Sequence, residues 1–177
     1  MQGCPDRQRP YTRIRRRNQA SLHNRIVVRP HTAKRGIFMH SISAIVLVGF
    51  IAWTLLLLLT MELARVRLVV VSKFDPRQFK PDNANLSPFM QRLARAHANC
   101  VESFPVFGGL LLAALLTGQT SVTDPLALFF LGARLVQSSV HLASLSAMAV
   151  NVRFLAFAIQ VSIAIYWALA LLRGVIG

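Results

Sequence analysis

Three polar side chains recur at helical spacing inside an otherwise apolar stretch of the chain. Arg95, Asn99 and Glu102 are spaced i, i+4 and i+7, which at about 100° per residue places them on one face of a helix. A charged side chain at membrane depth costs about 2.5–3.5 kcal/mol on insertion scales, so such groups are expected to be functional or paired. The spacing therefore makes this face a candidate binding surface.

A second polar stripe follows further along the chain, and it covers about a third of a helix circumference. Its members are Arg134, Gln137, Ser138, His141 and Ser144. Two polar stripes on apolar helices should face each other or a neighbouring subunit and enclose a wet, charged pocket. The alternative is a structural Glu102–Arg134 ion pair that only holds the helices together, and the two interpretations are compatible.

The composition indicates what kind of protein must position these side chains. Among 177 residues, apolar types make up 54% and charged types only 15%, against about 25% charged in a soluble domain. The apolar residues lie in long blocks, and the mean hydropathy is +0.50. These figures exclude a disulfide-stapled secreted module, a disordered tail and an ordinary soluble globule. They predict a single-domain integral membrane protein.

Four apolar blocks are long enough to cross a bilayer as helices. They cover residues 42–61, about 93–116, about 125–148 and 154–172. We expect a polar turn at 118–124, with Pro125 in the first turn of the third helix, and a short connection at 151–153. One long and two short connections predict an all-α, antiparallel four-helix transmembrane bundle.

Basic residues near the ends of the blocks predict the orientation in the membrane. Those after the first block and in the third connection are Arg65, Arg67, Lys73, Arg77, Lys80, Arg92, Arg95 and Arg153. The second connection has none, so the positive-inside rule places the first and third loops in the cytoplasm. Both termini are then predicted on the non-cytoplasmic side.

Residues 1–38 differ from the rest, because they hold ten basic residues and one acidic residue, a net charge of +9. They show no apolar helical period, which predicts a disordered leader separate from a membrane domain at 39–177. The leader could be an arm that binds RNA or anionic lipid. Its charge opposes the predicted orientation, and Met39 lies just before the first block. We therefore expect an untranslated or dispensable extension and no nucleic-acid partner.

The other reactive residue types give weaker signals. Cys100 has no partner in the apolar blocks, so no disulfide is expected. His97 and His141 lack the Cys-rich or carboxylate-rich spacing of a metal site, and we expect no metal. From their positions alone, Arg67 and Arg153 are anchors whose charged heads reach the membrane surface. Phosphate loops, dinucleotide fingerprints and serine-nucleophile elbows are absent from the sequence.

One stretch resembles the signature of the MAPEG family, the membrane-associated proteins in eicosanoid and glutathione metabolism. The pattern Arg-x-His/Gln-x-Asn-x-x-Glu-x-x-Pro-x-Phe runs here from Arg95 through Glu102 and Pro105 to Phe107. Further resemblance lies in the arginines of Val-Arg67-Leu and Ala-Arg134-Leu and in Arg153. The similarity covers about residues 40–175 and leaves the leader outside.

This resemblance implies a homotrimer in membrane lipid, with glutathione as co-substrate between subunits and a small hydrophobic electrophile as second substrate. It implies that Glu102 accepts from the glutathione amino group and that arginines bind its carboxylates. Arg153 and Arg67 are the implied catalytic residues, with Arg153 stabilising the thiolate. The implied glutathione-binding residues are Arg95, His97, Asn99, Glu102, Arg134 and His141.

The sequence departs from the family where aromatic hydroxyl groups are common. His141 stands where family enzymes have a tyrosine on the third helix, and Ser103 stands where leukotriene C synthase has another. Three functions stay open: a glutathione-dependent transferase or peroxidase, a non-catalytic membrane or lipid-binding protein of this fold, and a small exporter using Glu102 as proton site. The exporter is disfavoured, because the first helix has Glu62 only at its end.

Overall fold

The computed structural model describes residues 41–176, and the predicted leader lies outside them. Four helices follow one another: α1 (Ile42–Ser72), α2 (Pro88–Thr117), α3 (Thr120–Ala143) and α4 (Ala147–Ile176). Each is long and apolar enough to cross a membrane. The described residues contain no strand. The predicted all-α four-helix bundle is confirmed.

Local sequence signals explain most helix ends. Ser87 caps α2 by accepting from the backbone N–H of Met90 at 3.4 Å, and Pro88 occupies the first turn. Gly118 ends α2 in the left-handed region at φ +71°, where glycine carries no side-chain penalty. Ser146 accepts from the backbone N–H of Ala149 at 3.2 Å at the start of α4.

Two predicted connections were misplaced. The polar stretch after α2 is only two residues long, because Thr120 to Asp124 already belong to α3. The third connection is residues 144–146 rather than 151–153, because Ser144 is extended at φ −153° and ψ 153° and ends α3. Arg153 therefore lies inside α4, not in a loop before it. Sequence polarity misled the prediction, since helical residues at membrane surfaces are polar too.

An aromatic cluster with one ring from each helix forms the centre of the bundle. Phe130 of α3 lies 6.0 Å from Phe50 of α1, 5.1 Å from Phe107 of α2 and 5.6 Å from Trp167 of α4, measured between ring centroids. Aromatic pairs at such separations contribute beyond the area they bury. Phe129 is 70% exposed, so adjacent phenylalanines have opposite environments. This cluster packs the four helices against one another close to the polar stripes.

Candidate functional site

A cavity of about 880 Å³ lies between α2, α3 and α4, and its lining changes character along its length. Its wall runs from residue 99 to 110 on α2 and from 157 to 168 on α4, about 16 Å of helix in each case. Short connections make successive helices antiparallel, so α2 and α4 run in the same direction. The cavity therefore has a polar end near Asn99 and an apolar end near Leu110.

The two polar stripes meet at the polar end. Asn99, Glu102 and Ser103 of α2 line it together with Arg134 and Gln137 of α3. Val161, Ala164, Ile165 and Ala168 of α4 line the apolar part. Pockets of about 300–1,000 Å³ with apolar walls and a few converging polar groups are the usual form of small-molecule sites. Part of each predicted stripe therefore borders this cavity.

Arg134 is the most unusual group in this cavity. Its side chain is 1% exposed, and its Nε and Nη2 atoms have no hydrogen-bond partner. The guanidinium carbon lies 5.2 Å from the centroid of the Phe50 ring and 5.4 Å from that of Phe107, which is within cation–π range. The aromatic faces hold the guanidinium, but they leave part of its hydrogen-bonding capacity unused.

The proposed structural pair between Glu102 and Arg134 is not formed. Among residues 41–176, the ion pair present joins Arg65 to Glu62 at 3.0 Å near the end of α1. Glu102 is exposed, whereas Arg134 is buried. The two charged residues border the same cavity without forming an ion pair.

Buried polar groups support the arginine from behind. Ser138 donates from its hydroxyl to the backbone carbonyl of Arg134 at 3.0 Å. The same hydroxyl lies 3.7 Å from the thiol sulfur of Cys100, which is free and fully buried. Cys100 therefore belongs to the packing of α2 against α3.

A second cavity, of about 650 Å³, contains other members of the predicted set. Arg92 and Arg95 of α2 and His141 of α3 line it, together with Asp82 of the first loop. Arg92 donates from Nε to the carbonyl of Leu142 at 2.9 Å, which satisfies a carbonyl in the last turn of α3. The predicted binding residues that line a cavity are thus divided between two cavities.

The remaining predicted residues lie outside both cavities. His97 is half-buried on α2, and Arg67 is exposed on α1. Arg153 is half-buried on α4, and its Nη1 atom is buried without a partner. Arg153 lines neither cavity.

Three polar residues were not predicted as site or anchoring groups. Gln160, fully buried on α4, hydrogen-bonds to Gln137 at 3.1 Å, and its isolation in an apolar helix was the available signal. Asn83 binds Arg65 across the first loop at 2.7 Å. Asp124 binds the start of α1. Nothing in the sequence distinguishes Asn83 or Asp124 from ordinary loop residues.

The described part of the chain contains no candidate metal site. Between residues 41 and 176, no three His, Cys, Asp or Glu side chains are grouped so that they could hold an ion.

Four apolar spanning helices define a multi-pass integral membrane protein that is all-helical over its described residues, with a mostly apolar cavity bordered by a few polar groups. The model of the MAPEG family matches residues 43–173. The chain belongs to the MAPEG family, as its arginine, asparagine and glutamate pattern predicted. No match was found among curated proteins or among solved structures.

Proposed function

We propose that this protein is a glutathione-dependent transferase or peroxidase that acts on hydrophobic electrophiles. The observation that carries the proposal is the buried Arg134, an uncompensated cation with unused N–H groups on the wall of a ligand-sized cavity. A buried charge is stable only when it is paired, and an anionic ligand would supply the missing partner. We infer that this anion is glutathione, because the chain belongs to a family associated with glutathione metabolism.

Each charged group of glutathione has a complement among these residues. Arg134 and Arg95 would bind its two carboxylates, Glu102 would accept from its ammonium group, and Asn99 would hydrogen-bond to its backbone. Arg134 lines the first cavity and Arg95 lines the second, so an elongated tripeptide would extend from one cavity towards the other. His97 and His141 would supply further polar contacts.

The chemistry requires a glutathione thiolate. Arg153, and more distantly Arg67, would favour loss of the thiol proton by their positive charge. In a transfer reaction the thiolate sulfur bonds to an electrophilic carbon, and the bond from that carbon to its leaving group breaks with its electron pair. The apolar end of the cavity, lined by α4, would hold the hydrophobic substrate and exclude water from the reacting atoms.

Self-association is part of the proposal, and a homotrimer is the family's implied assembly. Glu102 lies near the middle of α2 and is exposed in the isolated protomer, as is Arg95. Lipid contact with such groups is costly, so a neighbouring subunit is expected to cover this face. In this proposal the basic first loop is cytoplasmic by the positive-inside rule, and both termini are on the non-cytoplasmic side.

A non-catalytic, lipid-binding role is the second candidate function. It is favoured by one observation: Arg67 and Arg153, the implied catalytic residues, line neither cavity. Without a cation at the glutathione sulfur, the same cavity would bind an amphiphile whose anionic head lies at Arg134 and whose chain lies along α4.

Equilibrium binding of glutathione to the detergent-purified protein separates these functions. Wild type is compared with Arg95→Ala and Glu102→Gln, and Arg173→Ala serves as the matched control because Arg173 is exposed at the far end of α4. We expect binding in wild type and in the control and marked weakening in the other two. Absence of wild-type binding at millimolar glutathione would exclude the enzyme and leave the lipid-binding protein.

If glutathione binds, the absorbance of its thiolate tests the catalytic assignment. We expect the thiolate fraction at neutral pH to fall in Arg153→Ala. An unchanged fraction would make Arg153 an anchor at the membrane surface and would leave the binding site intact.

A further inference from the structure

Gln160 is a fully buried polar side chain in the middle of an apolar helix. Its Nε2 atom donates to the backbone carbonyl of Ala156 at 2.9 Å and to Oε1 of Gln137 at 3.1 Å. Its own Oε1 atom is buried and has no partner. Both hydrogens of the amide nitrogen are therefore used, while the amide oxygen is not.

Chemistry fixes the orientation of both amides. A backbone carbonyl only accepts hydrogen bonds, so the Gln160 atom beside Ala156 must be the nitrogen. The second hydrogen of that nitrogen requires an acceptor, so the Gln137 atom facing Gln160 must be its oxygen. The NH₂ group of Gln137 then points away from Gln160. Gln137 lines the polar end of the first cavity, and its NH₂ group has no partner among the described residues.

A purely structural role would not favour this arrangement. Gln160 leaves one acceptor unsatisfied in the bundle interior, and a buried unsatisfied oxygen destabilises the fold. Leucine or methionine would fill the same space without that cost. The arrangement makes sense if its benefit appears when a ligand is bound.

We propose that Gln160 is a positioning residue that holds Gln137 as a hydrogen-bond donor towards the ligand. Gln137 and Arg134 are three residues apart on α3 and thus on one face, so their unused donors together form a site for an acceptor oxygen. The identity of the ligand rests on the proposed function: the acceptor is a carboxylate or peptide carbonyl oxygen of glutathione. Glu102 opposes them as the acceptor for the ligand's ammonium group.

The test is a double-mutant cycle on glutathione affinity. Gln160→Met removes both hydrogen bonds and frees Gln137 to rotate, and we expect the Kd for glutathione to rise about tenfold, as for loss of one oriented hydrogen bond. In a Gln137→Met background the same change should have little further effect. Ser162→Ala, which removes an exposed hydroxyl on the same helix, is the matched control and should bind as wild type.

Thermal unfolding in detergent supplies a second readout, because Gln160→Met is expected to unfold at the same temperature as wild type or higher. Gln137→Glu covers the case in which Gln160 variants fail to fold. It keeps the acceptor for Gln160 but replaces the cavity-facing NH₂ by oxygen, so it should bind glutathione more weakly than Gln137→Met.

The outcomes distinguish this inference from the proposed function. Wild-type affinity in Gln160→Met, or equal losses in both backgrounds, would overturn the positioning role while glutathione binding stands. Equal binding by Gln137→Glu and Gln137→Met would overturn it as well. Lack of glutathione binding by wild type would overturn both proposals.

Discussion

The carboxylate of Asp124 accepts hydrogen bonds from the backbone N–H of Ser43 at 2.8 Å and from the Ser43 hydroxyl at 2.6 Å. Asp124, near the start of α3, thus closes the N-terminus of α1, where helix N–H groups are otherwise unsatisfied and a negative charge is favoured. Ser41 adds its hydroxyl to the same oxygen at 3.0 Å.

Removing this cap is expected to loosen α1 from α3. Asp124→Ala should lower the free energy of unfolding by about 1–2 kcal/mol, since caps contribute about that much. Thermal unfolding in detergent measures the effect. Asp75→Ala is the control, because Asp75 caps only the short helix Pro76–Gln78 in an exposed loop. Equal losses in the two variants would contradict the special role of Asp124.

Arg134 should respond to substitution in opposite ways with and without ligand. Arg134→Met removes an uncompensated buried charge, so we expect the free energy of unfolding of the ligand-free protein to rise by about 1–4 kcal/mol. Glutathione at ten times its Kd should stabilise wild type by about 1.4 kcal/mol and should leave the variant unaffected.

Calorimetry with and without glutathione measures both effects, and Arg173→Met, at an exposed position on α4, controls for loss of charge. A variant that glutathione still stabilises would show that the ligand does not contact Arg134.

Asn83 anchors the first loop through three side-chain hydrogen bonds to two residues. Its Oδ1 atom accepts from Nε and Nη2 of Arg65 at 3.1 Å and 2.7 Å, and its Nδ2 atom donates to the carbonyl of Met90 at 3.0 Å. Its backbone is in the left-handed region at φ +55°. We expect Asn83→Ala to cost about 1–3 kcal/mol of stability and Asn83→Gly to cost less, because glycine tolerates this φ.

Limited proteolysis of the loop, together with thermal unfolding, checks this order. Asn85→Ala removes one exposed hydrogen bond, to the carbonyl of Gln78, and should change little. Greater damage from glycine than from alanine would show that backbone strain is unimportant at this position.

Adjacent phenylalanines provide a matched pair for the bundle core. Phe130→Ala removes the ring that contacts three other helices, and it should cost about 3–5 kcal/mol. Phe129→Ala removes a ring that is 70% exposed, and it should change the stability little. Unfolding temperatures in one detergent compare the two variants, and similar values would contradict the central position of Phe130.

The sequence was sufficient for the architecture because apolar length alone specifies a spanning helix. It also predicted that the stripes of Glu102 and Arg134 would converge, since helical spacing determines which residues share a face. It failed at helix ends such as Ser144, where one backbone conformation decides the boundary. The role of Asp124 depends on Ser43, which is 81 residues away in the chain, and that of Asn83 depends on the path of the first loop; helical spacing encodes neither.

The division of the predicted residues between two cavities was equally beyond spacing arguments. Arg95 and Glu102 share a helix face but lie seven residues apart, about 10 Å along the axis, and different neighbours enclose each end. The orientation of the Gln137 amide was also inaccessible, because it follows from the carbonyl of Ala156 on another helix.

The two-residue connection between α2 and α3 bears on how the protein is made. Measured along each helix axis from this connection, Glu102 lies about 22 Å away on α2 and Arg134 about 21 Å away on α3. We expect a hairpin with so short a connection to enter the bilayer as a unit, so that the acidic and basic groups cross the lipid headgroups together. Opposite charges that travel together shield each other from the hydrocarbon, which lowers the barrier that either would face alone.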